Sequence, residues 1–146
     1  MKKVIGVALL LAVSPMAALA AGAKPIVLNK AEVAGGAFNL PEAKTSTHHG
    51  NTVHDLLMLM TTDKKYEAGM YKSGPAHFSV TGAKTYGVNE FMYFLKGEVT
   101  LTSADGTVQH IHAGEAVVIP ADWQGTWDTK GYTKFYAIYA PKGNAD

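Results

Sequence analysis

Short runs of β-branched and aromatic residues, separated by turn residues, fill the chain from Tyr66 onward. Glycine, proline, or an Asp-Gly or Lys-Gly pair interrupts these runs roughly every eight to twelve positions, the spacing typical of an all-β sandwich or barrel. No segment shows a sustained helical period, so long helices are not expected. The pattern predicts an all-β, single-domain fold, a jelly roll or double-stranded β-helix of antiparallel strands.

The clearest local signal is the Asp105-Gly106 pair, which lies between two strand-like runs at 99–102 and 108–111. Both turn residues tolerate positive φ, so the pair predicts a tight hairpin. Earlier in the chain, the apolar run Leu56–Met60 suits either a buried strand or a helical turn, and its length favours the strand. One further short strand is predicted at Pro25–Leu28, in an otherwise weakly patterned N-terminal arm.

The N-terminus has the three parts of a secretory signal peptide. Lys2 and Lys3 precede an apolar run at 4–13, and Ala18-Leu19-Ala20 supplies the small residues of a cleavage site. The run is short for a membrane-spanning helix, which makes an uncleaved anchor the weaker alternative. We therefore predict cleavage after Ala20, a periplasmic protein, and three segments: signal peptide 1–20, arm and first strands 21–64, and barrel core 65–141.

Composition narrows the range of partners. The chain has no cysteine, and all 13 of its basic residues are lysines, against 12 acidic residues. Without the predicted signal peptide the acidic residues slightly exceed the basic ones, so neither nucleic acid nor, after cleavage, a membrane is an expected partner. The lack of arginine also weighs against a phosphate-bearing substrate, since arginine is the usual bidentate ligand for phosphate.

Two spaced motifs carry a resemblance to a known superfamily. Glu90 is followed after six residues by Gly97, and Gly114 is followed after five residues by Pro120, with the predicted hairpin between the two motifs. This arrangement resembles the two-part signature of the cupins. The segments 123–127 and 134–138 further resemble the cupin subgroup named after ureidoglycine aminohydrolase.

The resemblance implies a metal site of three histidines and one glutamate, but only Glu90 stands in its expected position. The places of the two first-motif histidines are held by Lys84 and Tyr86, or with a gap one residue longer by Ala83 and Thr85, and that of the third by Gly125. A single carboxylate does not hold a first-row divalent ion, which needs three or four protein ligands. We therefore expect no metal and no other cofactor.

Strand alternation indicates what lines the interior instead. Residues two apart on a strand face the same side, so Lys84, Tyr86 and Met92 are expected to share the face of Glu90. Trp127 is expected to face inward beside Gly125, and Trp123 to cap the mouth. The predicted ligand-binding residues are Lys84, Tyr86, Glu90, Met92, Trp123 and Trp127.

These residues favour a protein that binds a small organic molecule without metal-dependent catalysis. Two enzyme hypotheses stay open: an aminohydrolase-like cupin with unusual ligands, or a metal-free isomerase that uses Lys84, Tyr86 and Glu90. A purely structural domain and a homodimer are further alternatives. The histidines that could supply unusual ligands are His48, His49, His54 and His77, whereas His110 and His112 are expected on the surface.

Overall fold

The computed structural model describes residues 24–48 and 50–143, so the predicted signal peptide and His49 lie outside the described residues. Eight antiparallel strands form one sheet, which confirms the all-β prediction. The two helices in these ranges are one turn each, and neither is long or apolar enough to cross a membrane. The strands are β1 (Lys44–His48), β2 (Asn51–Met60), β3 (Tyr66–Ser73), β4 (Ala76–Val80), β5 (Asn89–Ser103), β6 (Val108–His112), β7 (Ala116–Ile119) and β8 (Gly125–Tyr139).

The two long strands, β5 and β8, are paired to each other and organise the sheet. The main order is β1-β2-β3-β8-β5-β6, while β4 also pairs with β8 and β7 also pairs with β5. On its other edge, each long strand thus pairs with one shorter strand along its first half and with a different strand along its second half. For β5 these are β7 and then β6, and for β8 they are β4 and then β3. The change of partner falls near Gly97 in β5 and near Gly131 in β8. The buried side chains of these two strands meet on the inward face of the sheet.

Gly97, which ends the first sequence motif, permits the close approach of β5 to its paired strand β8. Its φ is +73°, in the region that favours glycine, and a Cβ at this position would lie 2.0 Å from the carbonyl oxygen of Gly131. No side chain fits so near a backbone oxygen. The motif glycine is therefore a requirement of the fold.

The hairpin predicted at Asp105-Gly106 joins β5 to β6, as expected, and Leu56–Met60 lies within β2. Gly106 has a φ of +86°, and the Asp105 carboxylate accepts the backbone N–H of Thr107 at 2.9 Å. That hydrogen bond lowers the pKa of Asp105, because it stabilises the ionised form. The turn is therefore fixed by both the glycine backbone and the aspartate side chain.

The strand predicted at Pro25–Leu28 is wrong. The segment has no strand partner within residues 24–48 and 50–143, and Ile26 and Val27 are 58 % and 77 % exposed. Asn29 ends it by starting the helix α1 (Lys30–Val33), since its side chain accepts the N–H groups of Ala31 and Glu32 in a capping box. Proline, which has no N–H, suits the unpaired backbone here.

The rest of the arm covers part of the outward face of the sheet. A 3₁₀ turn, Gly36–Asn39, buries Ala37 completely against Leu56 and Met70. A separate cluster on the inward face includes Met92, Phe94 and Trp127. The sheet is thus buried on both sides around Leu56 and Met70, and the inward cluster forms the floor of the site described next.

Candidate functional site

A cavity of about 630 Å³ lies on the inward face of the sheet. Its volume is typical of a pocket for a small organic molecule. Aromatic side chains form much of its wall: Tyr71, Phe78, Tyr86, Trp127, Tyr132 and Tyr136. Charged side chains also line it: Glu42, Lys44, Asp55, Glu67, Glu90 and Lys134.

Strand register brings these side chains together from distant parts of the sequence. Tyr71 of β3 lies opposite both Asp55 of β2 and Lys134 of β8. Two inward rows further along, beyond the row of Tyr136, Glu67 and Glu90 lie on either side of Ile138. Because directly opposite residues point to the same face of an antiparallel sheet, four strands contribute to one polar floor.

A buried ion pair forms the centre of the floor. Lys134 Nζ lies 2.5 Å from Glu90 Oε1, and the two side chains are only 7 % and 5 % exposed. The Tyr86 hydroxyl donates to the other carboxylate oxygen of Glu90, and Lys134 Nζ lies 3.1 Å from Met92 Sδ. Both oxygens of Glu90 are thus engaged by donors of the protein itself, so the carboxylate is fixed in place.

Four aromatic rings surround the Lys134 ammonium. Nζ lies 5.6 to 5.8 Å from the ring centroids of Tyr71, Trp127, Tyr132 and Tyr136. At that distance the ring faces attract a cation, and the attraction grows when water is excluded. The ammonium is therefore held by one carboxylate and an aromatic cage.

The tyrosine hydroxyls of the cavity are protonated, and those of Tyr86 and Tyr136 act as donors. Burial, followed by the charge of Glu90 for Tyr86 and of Asp55 for Tyr136, raises the pKa of both phenols well above the ordinary value. Burial also raises the pKa of Tyr71 and Tyr132. Tyr136 donates to Asp55 Oδ1 at 3.0 Å. None of these groups offers a phenolate for nucleophilic attack near neutral pH.

Trp127 supplies the one indole donor of the cavity wall. Its side chain is 1 % exposed and stacks on Phe78, with ring centroids 5.6 Å apart and an interplanar angle of 14°. Its Nε1 is buried without a hydrogen-bond partner among the described residues. An unsatisfied buried donor typically costs about 1–3 kcal/mol, so the site retains an unfavourable feature that an acceptor would relieve.

A family profile of the EutQ-like cupin domain matches residues 62–136, about half of the 146-residue chain. The chain belongs to the EutQ-like cupin family. The resemblance to cupins and the predicted barrel are thereby confirmed. No curated protein matches the sequence.

Solved structures agree with the cupin fold. A protein of unknown function from Pseudomonas syringae matches with a TM-score of 0.58 at 18 % identity, over 66 % of this chain and 43 % of that one. The EutQ protein of Clostridium difficile matches with a TM-score of 0.52 at 17 % identity, over 65 % and 74 %. A putative ethanolamine utilization protein Q from Salmonella typhimurium matches at 0.51 and 18 %, over 71 % and 98 %. The chain thus spans less than half of the Pseudomonas protein, and these identities concern the fold alone.

The residues of this cupin do not fit the metal site that the superfamily implies. A Cβ on Gly125 would lie 2.3 Å from the Thr102 carbonyl oxygen and 2.5 Å from Trp123 Cζ2, so no ligand side chain fits there. Glu90 is neutralised by Lys134 and hydrogen-bonded by Tyr86. Within residues 24–48 and 50–143, no group of three or more His, Asp or Glu side chains is arranged to hold a metal ion.

Among the described residues, the histidines that could supply unusual ligands, His48, His54 and His77, do not converge on Glu90. His48 is exposed on β1, and His54 hydrogen-bonds Thr45 Oγ1 at 2.9 Å and lines a different, smaller pocket. His77 Nδ1 is hydrogen-bonded to Asp128 Oδ1 at 2.5 Å in an exposed position. The surface positions expected for His110 and His112 are observed.

The cavity gathers some of the predicted ligand-binding residues and not others. Tyr86, Glu90 and Trp127 line it, and Met92 lies beneath it in contact with Lys134. Lys84 does not share the face of Glu90 as expected, because it lies in an exposed turn before β5. Its carbonyl oxygen accepts from the Gln124 side chain. Trp123 lies outside the lining: its ring meets Tyr86 edge-on, and its Nε1 donates to Ser103 Oγ at 3.0 Å.

The most consequential residue that the sequence did not indicate is Lys134. Trp127 and Lys134 both face inward although they are seven positions apart, which contradicts simple alternation. The register shift between Glu98 and Thr100 explains this, because two residues of β8, at 129 and 130, lie against Val99 alone. After such a bulge, the residues that would have pointed to one face of the sheet point to the other.

We expect Tyr136→Phe to raise the pKa of Asp55. Burial already raises that pKa above its ordinary value of 3.8, and the Tyr136 hydrogen bond opposes the rise by stabilising the carboxylate. Carboxyl carbon chemical shifts across a pH titration measure the change, with Tyr132→Phe as the control, because the tyrosine that hydrogen-bonds Asp55 is Tyr136. A lower Asp55 pKa in Tyr136→Phe would contradict this assignment.

The same carboxyl makes stability depend on pH. Because its folded-state pKa is raised, folding favours the protonated form. This contribution is fully present below the unfolded-state value and is lost as the pH rises through the folded-state pKa. In Asp55→Asn this part of the pH dependence is expected to disappear.

Proposed function

We propose that this cupin binds a small organic molecule in the aromatic cavity and does so without a metal ion. The observation that carries the proposal is the Lys134–Glu90 pair, an internal cation bound to the one motif carboxylate. The wall around this pair combines aromatic and aliphatic surface with a few fixed donors, the composition of a site for an organic ligand.

A thermal-shift screen of organic fragments tests this function. A fragment at ten times its Kd stabilises the folded state by about 1.4 kcal/mol, which raises the Tm by several degrees. Phe78→Ala is expected to remove most of the shift, since Phe78 lines the cavity and stacks on Trp127. Phe91→Ala is the matched control: the two rings are similarly exposed, at 41 % and 46 %, but Phe91 does not line the cavity. Shifts that Phe78→Ala leaves intact would contradict the proposed site. Addition of a chelator is expected to leave the fragment-induced thermal shifts unchanged.

A second candidate is a metal-free enzyme of the isomerase type. One observation favours it: Tyr86, Glu90 and Lys134 form a hydrogen-bonded chain of proton donors and acceptors on the cavity wall. Such a chain could take a proton from one carbon or oxygen of a ligand and return it to another. Turnover that Glu90→Gln abolishes while the fold is preserved would place this function first. The resemblance of segments 123–127 and 134–138 to the ureidoglycine aminohydrolase subgroup suggests kinship, without the metal ligands for that chemistry.

We place the protein in the periplasm on the basis of the N-terminal pattern. Mass spectrometry of the protein from a periplasmic fraction is expected to find a mature chain that begins at Ala21. Recovery of the full-length chain from the membrane fraction would instead favour an uncleaved anchor.

A further inference from the structure

A second, smaller pocket lies between the N-terminal arm and the outward face of the sheet, and we call it the arm pocket. Its volume is about 230 Å³. That is below the roughly 300–1,000 Å³ of pockets for drug-sized molecules, so the arm pocket suits a small ion or group. The arm forms one wall with Gly35, Phe38 and Asn39, which lie outside the segment 62–136 that matches the family profile. The arm pocket is therefore a feature of this chain beyond the shared domain.

The sheet wall of the arm pocket is one row of side chains across four strands. His54 of β2 lies opposite Lys72 of β3. Thr133 of β8 lies opposite both Lys72 and Lys96 of β5. Neighbouring strands are about 4.8 Å apart, so the backbones of the two lysines are only about 10 Å apart, on either side of Thr133. Both ammonium groups can therefore reach one ion that lies above Thr133.

The lining of the arm pocket carries positive charge and no acidic side chain. Neither Lys72 nor Lys96 forms an ion pair within residues 24–48 and 50–143. In the aromatic cavity, by contrast, four carboxylates face two lysines. Like charges in one row of a sheet repel each other, and an anion between them replaces this repulsion with attraction.

Contacts between the arm and the sheet hold the arm pocket in shape. Lys96 Nζ donates to the carbonyl oxygen of Ala34 at 2.8 Å, which draws the ammonium to the arm and leaves two of its three N–H bonds for another acceptor. The centroids of the Phe38 and His54 rings are 5.9 Å apart. Gly35 has a φ of +134°, a conformation that favours glycine and lets the arm turn over the pocket.

Thr133 supplies an unsatisfied hydroxyl at the floor of the arm pocket. The residue is only 7 % exposed, yet its hydroxyl has no hydrogen-bond partner among the described residues and is not sealed from the surface. Because Thr133 lines the arm pocket, the accessible part of its side chain faces that pocket. Ser73, a comparably buried residue of the neighbouring strand, instead accepts from Asn51 Nδ2 at 3.0 Å and donates to the Gly74 carbonyl oxygen at 2.9 Å. Buried hydroxyls are normally paired in this way, so a ligand is expected to complete Thr133.

We propose that the arm pocket binds a tetrahedral oxyanion of the phosphate type, either as the free ion or as a phosphate group of a larger molecule. The ammonium groups of Lys72 and Lys96 supply the charge, and the Thr133 hydroxyl donates from the floor. Lysine binds phosphate as a point charge, so the site does not need the bidentate geometry of arginine. Donors that approach from three directions suit a tetrahedral ion better than a planar carboxylate. The arm pocket lies on the opposite face of the sheet from the aromatic cavity, and this inference is independent of the proposed function.

Titration of the mature protein with inorganic phosphate at pH 7 and constant ionic strength tests the arm pocket. In ¹H–¹⁵N correlation spectra, the backbone signals of Gly35, Asn39 and Thr133 are expected to shift together and to saturate as one site. The Trp127 indole signal of the aromatic cavity is expected to stay in place, and sodium chloride is expected to cause no such shifts. Shifts that do not saturate, or that spread evenly over the exposed lysines, would overturn the proposal.

Lys72→Gln is expected to weaken phosphate binding about tenfold, the effect of one hydrogen bond between charged groups. Lys84→Gln is the matched control, because it removes the same charge from an exposed turn that lines neither pocket. The control is expected to change the Kd by less than about twofold. Equal effects of the two substitutions would show that only net charge matters and would overturn the site.

Thr133→Val keeps the shape of the side chain and removes its hydroxyl. In phosphate-free buffer the variant is expected to have a Tm no lower than that of the wild type, because the lost hydroxyl has no partner among the described residues. Its Kd for phosphate is nevertheless expected to rise about fivefold. A lower Tm together with an unchanged Kd would assign Thr133 a structural role and overturn its place in the site.

Phenyl phosphate and benzoate separate the possible anions. Tighter binding of phenyl phosphate than of inorganic phosphate would support a phosphate group on a larger molecule, and the reverse order would support the free ion. Benzoate is expected to bind about tenfold more weakly than phenyl phosphate, since it has fewer acceptor oxygens and less charge. Equal binding of benzoate and phenyl phosphate would overturn the tetrahedral class. None of these outcomes decides the organic-ligand function, which the fragment screen with Phe78→Ala tests separately.

Discussion

Lys134→Met is expected to lower the free energy of unfolding by about 3–5 kcal/mol, because it leaves the Glu90 carboxylate buried without its counter-ion. Glu90 is 3 % exposed, and the only other donor that it retains among the described residues is the Tyr86 hydroxyl. A loss of this size is a large share of the roughly 5–15 kcal/mol that stabilises a domain. Urea unfolding at pH 7 measures it.

Two further variants separate the ion pair from loss of packing. Lys130→Met replaces an exposed lysine of the same strand and is expected to change stability by less than about 0.5 kcal/mol. The double variant Lys134→Met/Glu90→Gln removes both charges and is expected to be more stable than Lys134→Met alone, since no unpaired charge is left. If the double variant were less stable than the single one by the full cost of Glu90→Gln, the pair would not be coupled.

Gly125→His, which places a histidine where the cupin resemblance expects one, is expected to destabilise the protein by about 3 kcal/mol and to bind no metal. The added Cβ alone would lie 2.3 Å from the backbone oxygen of Thr102, and that strand cannot withdraw while Ser103 pairs with Gly125. Overfilling a packed region forces such backbone shifts. The variant also lacks converging partners, because Glu90 stays bound to Lys134.

Urea unfolding and thermal shifts with zinc, manganese and iron measure both parts of this prediction. Lys130→His, on the exposed side of the same strand, is the control for a histidine that causes no steric conflict. A stable Gly125→His protein that gains one tightly bound metal per chain would show that the cupin metal site is latent in this barrel.

Local rules were sufficient for much of the fold. The Asp105-Gly106 hairpin and the strand at Leu56–Met60 follow from turn chemistry and run length. Gly97 is needed because a Cβ at this position would lie 2.0 Å from the Gly131 carbonyl oxygen, so its place in the motif has a steric cause. Pro25–Leu28 failed as a strand because β-branched residues alone provide no partner strand, and capping at Asn29 determined the structure that follows.

The site was only partly predictable, because it depends on register. Period-two alternation around Glu90 correctly places Met92 on the inward side, but it does not apply to Lys84, which precedes the strand. The bulge in β8 that turns Lys134 inward has no signal in a single sequence beyond the nearby Gly131. The cage around Lys134 likewise draws on β3 and β8, whose pairing is set by the whole sheet.

Native mass spectrometry of the mature protein, purified without chelator and mixed with organic fragments, tests the central claim most directly. The metal-free organic site predicts fragment adducts at one per chain that persist in EDTA and that weaken in Phe78→Ala but not in Phe91→Ala. A first-row metal bound at one per chain and removed by EDTA, or the absence of any fragment adduct, would contradict it.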